Sequence, residues 1–397
     1  MGINKKHRIK STTSDQTYHG QWGAGFGQGM NGLSMSARAQ REAAWLSLWG
    51  QRGLKNYALA PLAALFQLFS WLRRVFYQTG VMDVLFAPVP VVVVGGVMVG
   101  GVGKTPVVTA LARTLRRAGY RPGIIARGYG GSNARQSRMP MAVTAMSDSR
   151  VVGDEPMLHF LNTECPVWVG ADRARAAKAL CSAHPEVDVL LCDDGLQHYR
   201  LSRDIEIVVM DGRGVGNGLC LPAGPLREGL SRLKEVDAVV WHRRGDTAMT
   251  CPVQQVTRND VPHFVFESHI ADAYDLLNPS DRVPLSFFSG KSVTMMAAIA
   301  QPVRFFRMLE GQGVVGLEVP LPDHAAFDLS VFRQSLVLAS KYVLMTEKDA
   351  VKCRDILEKS NEDKGRYWVV PLDVVNTDDL ARLQSFLLER LESLKSI

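Results

Sequence analysis

Residues 95–105 read GGVMVGGVGKT, and they fall between an apolar run and a helix-forming segment. Glycines at 100, 101 and 103 let backbone N–H groups turn toward phosphate oxygens. Lys104 reaches β- and γ-phosphates, and the hydroxyl of Thr105 suits a Mg²⁺ ion. Met98, Val99, Gly100, Gly101, Val102, Gly103, Lys104 and Thr105 form the expected nucleotide cradle. Met98 occupies the position where the general pattern asks for glycine. A second element, VLLCDD at 189–194, delivers Asp193 and Asp194 at the end of an apolar run. A carboxylate so placed beside a phosphate loop holds the metal in phosphoryl-transfer enzymes, although paired aspartates elsewhere often only cap a turn. Asp154 and Glu155 precede Pro156. By themselves these three read as a helix start.

Such groups need a scaffold. Residues 89–94 (VPVVVV) form a continuous apolar run, as a parallel strand buried on both faces would. Helix 106–119 and strands at 123–126, 187–192, 205–210 and 238–241 follow, an alternation that predicts a doubly wound α/β sheet with its ligand at the strand C-terminal ends. Residues 252–284 are less regular and read as a connector. A second block then has strands at 293–299, 342–345 and 367–370, helices at 303–311 and 330–340, and a last amphipathic helix over 377–394. The expected fold class is therefore α/β: a P-loop NTPase-like, doubly wound, mostly parallel sheet with a second, smaller α/β domain. The expected division is 1–36, 37–80, 81–252, 253–375 and 376–397, with the last helix packing back on the first α/β domain.

The 397 residues are 46% hydrophobic and 21% charged, which excludes whole-chain disorder and fibrous classes. The net charge of +7 is unevenly spread: residues 1–80 hold ten basic side chains against two acids, and the remainder is close to neutral. A basic arm seeks polyanions, either nucleic acid or an anionic membrane face. No nucleic-acid module stands beside it. Residues 1–36, rich in Gly, Ser, Thr and Gln, have too few large aliphatics to offset ordering entropy and are expected to be disordered. Residues 57–72 (YALAPLAALFQLFSWL) are apolar yet too short to span a bilayer. Arg73 and Arg74 close them, and Trp45, Trp49, Tyr57, Trp71 and Tyr77 flank or punctuate the run. Two readings stand side by side: helices lying on a membrane surface, or a helix packed on the protein's own core. Six scattered cysteines with no C-x-x-C pair argue for reduced thiols, and no signal peptide is evident.

Several stretches together resemble the tetraacyldisaccharide 4′-kinases of lipid A biosynthesis. They are PVVVVGG with GGVGKTP, IIARGYGG (124–131), VGDEPMLH (152–159), ADRARAA (171–177), DDGLQHYRL (193–201), LPAGPLRE (221–228), LSRL (230–233), PDHAAF (322–327) and TEKDAVK (346–352). Departures are Met98 for a usual Thr or Ser, Gly229 for a usual Pro, and Ala298, Ala300 and Gln301 in AAIAQPVRFF. The resemblance implies an ATP- and Mg²⁺-dependent kinase acting on the 4′-hydroxyl of a tetraacylated glucosamine disaccharide 1-phosphate. It implies that Asp154 takes the hydroxyl proton and that His324 orients it, with Lys104 and Arg227 in the catalytic set. Through it Glu155 joins Thr105, Asp193 and Asp194 as a candidate for Mg²⁺. Arg173, Gln197, His198 and Glu228 would complete the active site, and a closing second domain would bring Thr346, Glu347, Lys348 and Asp349 to base or ribose. It further implies a peripheral monomer on the cytoplasmic face of the bacterial inner membrane, whose partners are the lipid disaccharide 1-phosphate and the anionic membrane surface, with no nucleic acid. A P-loop nucleotide switch and a small-metabolite kinase remain the alternatives.

Overall fold

The computed structural model describes residues 44–45, 47–128, 139–244, 257–299, 301–322, 327, 329–333, 339–360, 365–375 and 377–395. Its strands in chain order are β1 (Val91–Gly95), β2 (Pro122–Ala126), β3 (Met141–Val143), β4 (Val167–Val169), β5 (Val189–Asp193), β6 (Ile205–Asp211), β7 (Ala238–Arg244), β8 (His263–Ile270), β9 (Ala273–Asp275), β10 (Arg282–Val283), β11 (Val293–Ala297), β12 (Leu317–Pro320), β13 (Tyr342–Thr346), β14 (Tyr367–Val370) and β15 (Leu372–Val374). The helices that matter below are α1 (Leu54–Gln78), α2 (Lys104–Arg117), α3 (Asp154–Thr163), α4 (Arg173–Ala183), α5 (Pro302–Glu310), α6 (Glu347–Lys359) and α7 (Asp378–Lys395).

The first sheet runs β15-β8-β7-β6-β1-β5-β2-β4-β3, parallel except where β15 and β3 pair at its edges. Successive β1 side chains point to opposite faces. Val92 and Val94 join Leu111, Leu115 and Ile207 in one core, while Val91 and Val93 join Leu180, Leu190 and Trp241 in the other. Both faces are covered, so the strand has no need of polar alternation. The second sheet runs β10-β9-β14-β13-β11-β12, with parallel pairing among β12, β11, β13 and β14. The fold is α/β, as the sequence predicts.

One expectation is corrected. HFVFESHI is no connector: it forms β8, parallel to β7, although it lies beyond the division expected at residue 252. Its alternating Phe264 and Phe266 face the first core. β15 returns from the far end of the chain to pair with β8, and α7 lays Leu380, Leu383, Leu387 and Leu391 on the same core. The expectation for residues 1–36 lies outside the described residues.

α1 is built differently. Its buried residues are Asn56, Ala63 and Arg74, while Leu54, Tyr57, Leu65, Phe69 and Trp71 are exposed. Asn56, Ala63, Gln67 and Arg74 recur along one stripe at helical spacing. Asn56 donates to the carbonyls of Leu48 and Ala223 at 2.9 and 2.8 Å, and Arg74 pairs with Glu235 at 3.2 Å. The helix thus docks through a mostly polar stripe and turns its apolar side outward. Among the described residues no helix is long and apolar enough to cross a membrane.

Candidate active site

The phosphate loop leaves the C-terminal end of β1, and α2 begins at Lys104. Gly100 and Gly103 hold φ of 96° and 89°, the left-handed region that only glycine enters without strain. Parallel register sets Asp193 of β5 beside Val94 of β1, which brings the paired aspartates to the foot of the loop. A Cβ on Gly95 would stand 2.6 Å from that of Leu196, so glycine there lets the turn after β5 press against the strand end.

A second segment braces the loop. The N–H of Val99 donates to the Pro225 carbonyl at 2.9 Å, and that of Arg227 to the Val97 carbonyl at 2.7 Å. The same segment is held on its other side by the N-terminal region: Trp49 Nε1 donates to Pro222 O at 3.0 Å and Arg52 Nε to Asn217 O at 2.9 Å. Met98 is buried at 3% exposure against Leu226, so its side chain is core and not part of a phosphate surface.

Asp194 gathers the cations. Lys104 Nζ lies 3.5 Å from its Oδ1, and Arg227 donates to both its oxygens at 2.9 and 3.0 Å. Burial alone would push its carboxyl up, but the charges of Lys104 and Arg227 outweigh that and hold it down at about 2. Asp194 is therefore an anchor for Lys104 and Arg227 more than an open metal ligand. Gln197 accepts from Arg227 at 3.3 Å and donates to the Gly96 carbonyl at 3.2 Å, tying Arg227 to the loop. Asp193 is different: Oδ2 contacts His159 Nε2 at 3.0 Å, while Oδ1 is buried with no hydrogen-bond partner among the described residues.

Arg173 is buried, and that burial pulls its guanidinium pKa below the usual value; it donates to the Ala171 carbonyl at 3.2 Å and approaches that of Asp194 at 3.4 Å. His198 accepts from the Arg173 N–H at 2.9 Å. Burial, then the Arg173 charge, push its imidazole down to about 4. It is thus a neutral brace for the start of α4 and carries no positive charge for phosphate. Glu228 is buried, accepts from the Tyr199 hydroxyl and lies 3.7 Å from Arg232. Burial pushes its carboxyl up.

Asp154 opens α3 at 4% exposure. From the second block, α6 brings Lys352 and Lys348 to 3.5 and 3.7 Å of its Oδ2, and Lys348 to 3.3 Å of Glu155. Glu155 is accordingly occupied by a lysine, and its N–H also donates to Asp154 Oδ1. His324 lies outside the described residues. Of residues 346–349, expected at base or ribose, three engage the protein itself. Thr346 caps α6, Glu347 accepts from Asn162, and Asp349 is fully buried, accepting from the Ala298 N–H at 3.1 Å and the Thr346 hydroxyl at 2.6 Å. Only Lys348 of the four faces the site. The partners missed by sequence reasoning are His159, Tyr199, Arg232 and Lys352; all four sit inside quoted motifs, where their fixed place is the available signal.

No group of three or more His, Cys, Asp or Glu able to hold a metal stands among the described residues. That suits Mg²⁺, which takes one or two protein oxygens and fills its octahedron with water and phosphate. The orphaned Oδ1 of Asp193 and the hydroxyl of Thr105 are the donors of the right kind.

Residues 55–392 match the family model for tetraacyldisaccharide-1-P 4'-kinase. The chain belongs to that family. Relatives named Tetraacyldisaccharide 4'-kinase include one from Herminiimonas arsenicoxydans, 46% identical over 82% of this chain and 89% of its own, and one from Janthinobacterium sp. (strain Marseille), 45% identical over the same shares. The crystal structure of LpxK from Aquifex aeolicus in complex with ATP shares the fold, with a TM-score of 0.67 at 24% identity over 85% of this chain and 100% of that one.

Proposed function

We propose that this kinase transfers the γ-phosphate of ATP to the 4′-hydroxyl of a tetraacylated glucosamine disaccharide 1-phosphate. The observation that carries the reading is the cluster of Lys104, Asp194 and Arg227 at the foot of the phosphate loop, in a chain matching this family over residues 55–392. Phosphoryl transfer asks for charge neutralisation and in-line positioning more than for covalent chemistry. Lys104 and Arg227, held by Asp194, supply fixed positive charge where the phosphoryl group travels. Thr105 and Asp193 would hold Mg²⁺, which when bound neutralises charge developing on the phosphate oxygens. Asp154 takes the proton of the attacking hydroxyl. Lys348 and Lys352 pair with its Oδ2 and hold the carboxylate in place. The pairing of His324 with Asp154 rests on the family motif alone.

The acceptor is a double-tailed anionic lipid, so the enzyme works at an interface. The outward apolar face of α1, closed by Arg73, supports a peripheral seat on an anionic membrane surface, the cytoplasmic face of the inner membrane.

The test is transfer of labelled phosphate from ATP to the tetraacyl disaccharide 1-phosphate in detergent micelles, with and without Mg²⁺. Transfer that requires Mg²⁺ is expected; its absence returns the chain to the nucleotide-switch reading. Asp154→Ala is expected to lower kcat by about 10²–10⁴, the usual weight of a general base, with ATP affinity retained.

A further inference from the structure

The geometry points to His159 as a positioning residue that fixes Asp193 with one oxygen anchored and the other presented to the metal–nucleotide. The inference rests on the kinase reading above.

His159 is fully buried in α3 and bridges three elements that carry the site. Its Nε2 stands 3.0 Å from Asp193 Oδ2 at the end of β5, and its Nδ1 stands 3.2 Å from Thr109 Oγ1 of α2. An ionised carboxylate only accepts, so Nε2 carries the hydrogen; Nδ1 is then left to accept from the Thr109 hydroxyl. Thr109 lies four residues after Thr105, one helical turn along the same face. Asp154 lies five residues before His159, about 7.5 Å along the axis of α3. A single ring thus ties the helix of the metal-side hydroxyl, the strand of the metal-side carboxylate and the helix of the base.

The carboxylate it holds is asymmetric. Oδ2 has its partner, while Oδ1 is buried with none among the described residues. A polar atom buried in that way is costly unless a ligand completes it. Carboxylates that ligate metals are themselves commonly oriented by an outer hydrogen bond, and loss of that partner typically costs about 10–100-fold in metal affinity or activity. An apolar ring at 159 would fill the space but release Asp193 to rotate.

The experiment measures ATP binding by calorimetry in EDTA and across a Mg²⁺ series, for the full chain in detergent. The wild type is expected to bind ATP more tightly as Mg²⁺ rises. His159→Phe is expected to shift the Mg²⁺ concentration for half of that gain upward by about tenfold or more. Its affinity for ATP in EDTA should stay within twofold. His159→Gln, whose side-chain amide can donate to Asp193, should recover most of the shift. Thr109→Val leaves the ring in place and should give a smaller shift in the same direction; it carries the test if the phenylalanine variant does not fold. Unchanged Mg²⁺ dependence in these variants overturns the inference, as does an equal loss of affinity in EDTA. A wild type with no Mg²⁺-dependent gain instead overturns the metal–nucleotide reading itself.

Discussion

α1 and α7 are both long amphipathic helices, one near each end of the chain, and they face opposite ways. α7 sends Leu380, Leu383, Leu387 and Leu391 into the core beside β8. α1 docks by Asn56, Ala63 and Arg74 and leaves Leu65, Phe69 and Trp71 at 51%, 66% and 48% exposure. An apolar stripe states that a helix needs an apolar neighbour, but not whether that neighbour is protein or lipid. The answer lies in what the opposite stripe carries. On α7 the opposite stripe is charged and solvated. On α1 it carries an asparagine and an arginine whose partners, Ala223 O and Glu235, wait on the body.

The contrast can be broken by making matched changes in the two helices. Leu387→Ala in α7 empties a fully buried site and is expected to lower stability by about 2–5 kcal/mol, read from denaturant midpoints. Phe69→Ala in α1 is expected to leave that midpoint nearly unchanged. It should weaken partition to anionic vesicles by about 1.5–3 kcal/mol, the burial value of one large side chain. If Phe69→Ala unfolds the protein, α1 is a core helix after all. Asn56→Ala removes two hydrogen bonds, to the carbonyls of Leu48 and Ala223, the latter still held by Asn217 Nδ2, and is expected to cost about 1–3 kcal/mol of stability, placing the docking stripe of α1 between the two leucine-rich faces. The smallest effect is expected for Arg73→Gln: a loss of about 1 kcal/mol in binding to anionic vesicles. That loss should fade at high salt, and neutral vesicles should not register it.

The same pair shows what was legible beforehand. The apolar run of β1, the phosphate loop and the paired aspartates announce themselves locally, because each depends on neighbours in the chain. The outward face of α1 does not, since it depends on partners far along the chain, such as Ala223 for Asn56 and Glu235 for Arg74. The place of β8 is hidden for a similar reason. HFVFESHI alternates because its faces meet different surroundings, and only its pairing with β7 and β15 makes it part of the first sheet. In the site, the motifs bring Lys104, Asp194 and Arg227 together, whereas burial holds His198 neutral. No spacing rule reveals that, because burial is a property of the folded surroundings.

The segment 217–227 is gripped on one side by residues 49–56 and on the other by the loop backbone at Val97 and Val99. This matters to anyone who would remove α1 to test the proposed membrane seat. Cutting the chain before residue 81 removes α1, but it also strips the Arg52 and Trp49 donors from the carbonyls of Asn217 and Pro222 and leaves that of Ala223 only its bond from Asn217 Nδ2. The brace behind the phosphate loop then hangs from one side only. That seat is better tested by recolouring the outer surface of α1 with polar side chains, leaving Trp49, Arg52 and Asn56 where they are.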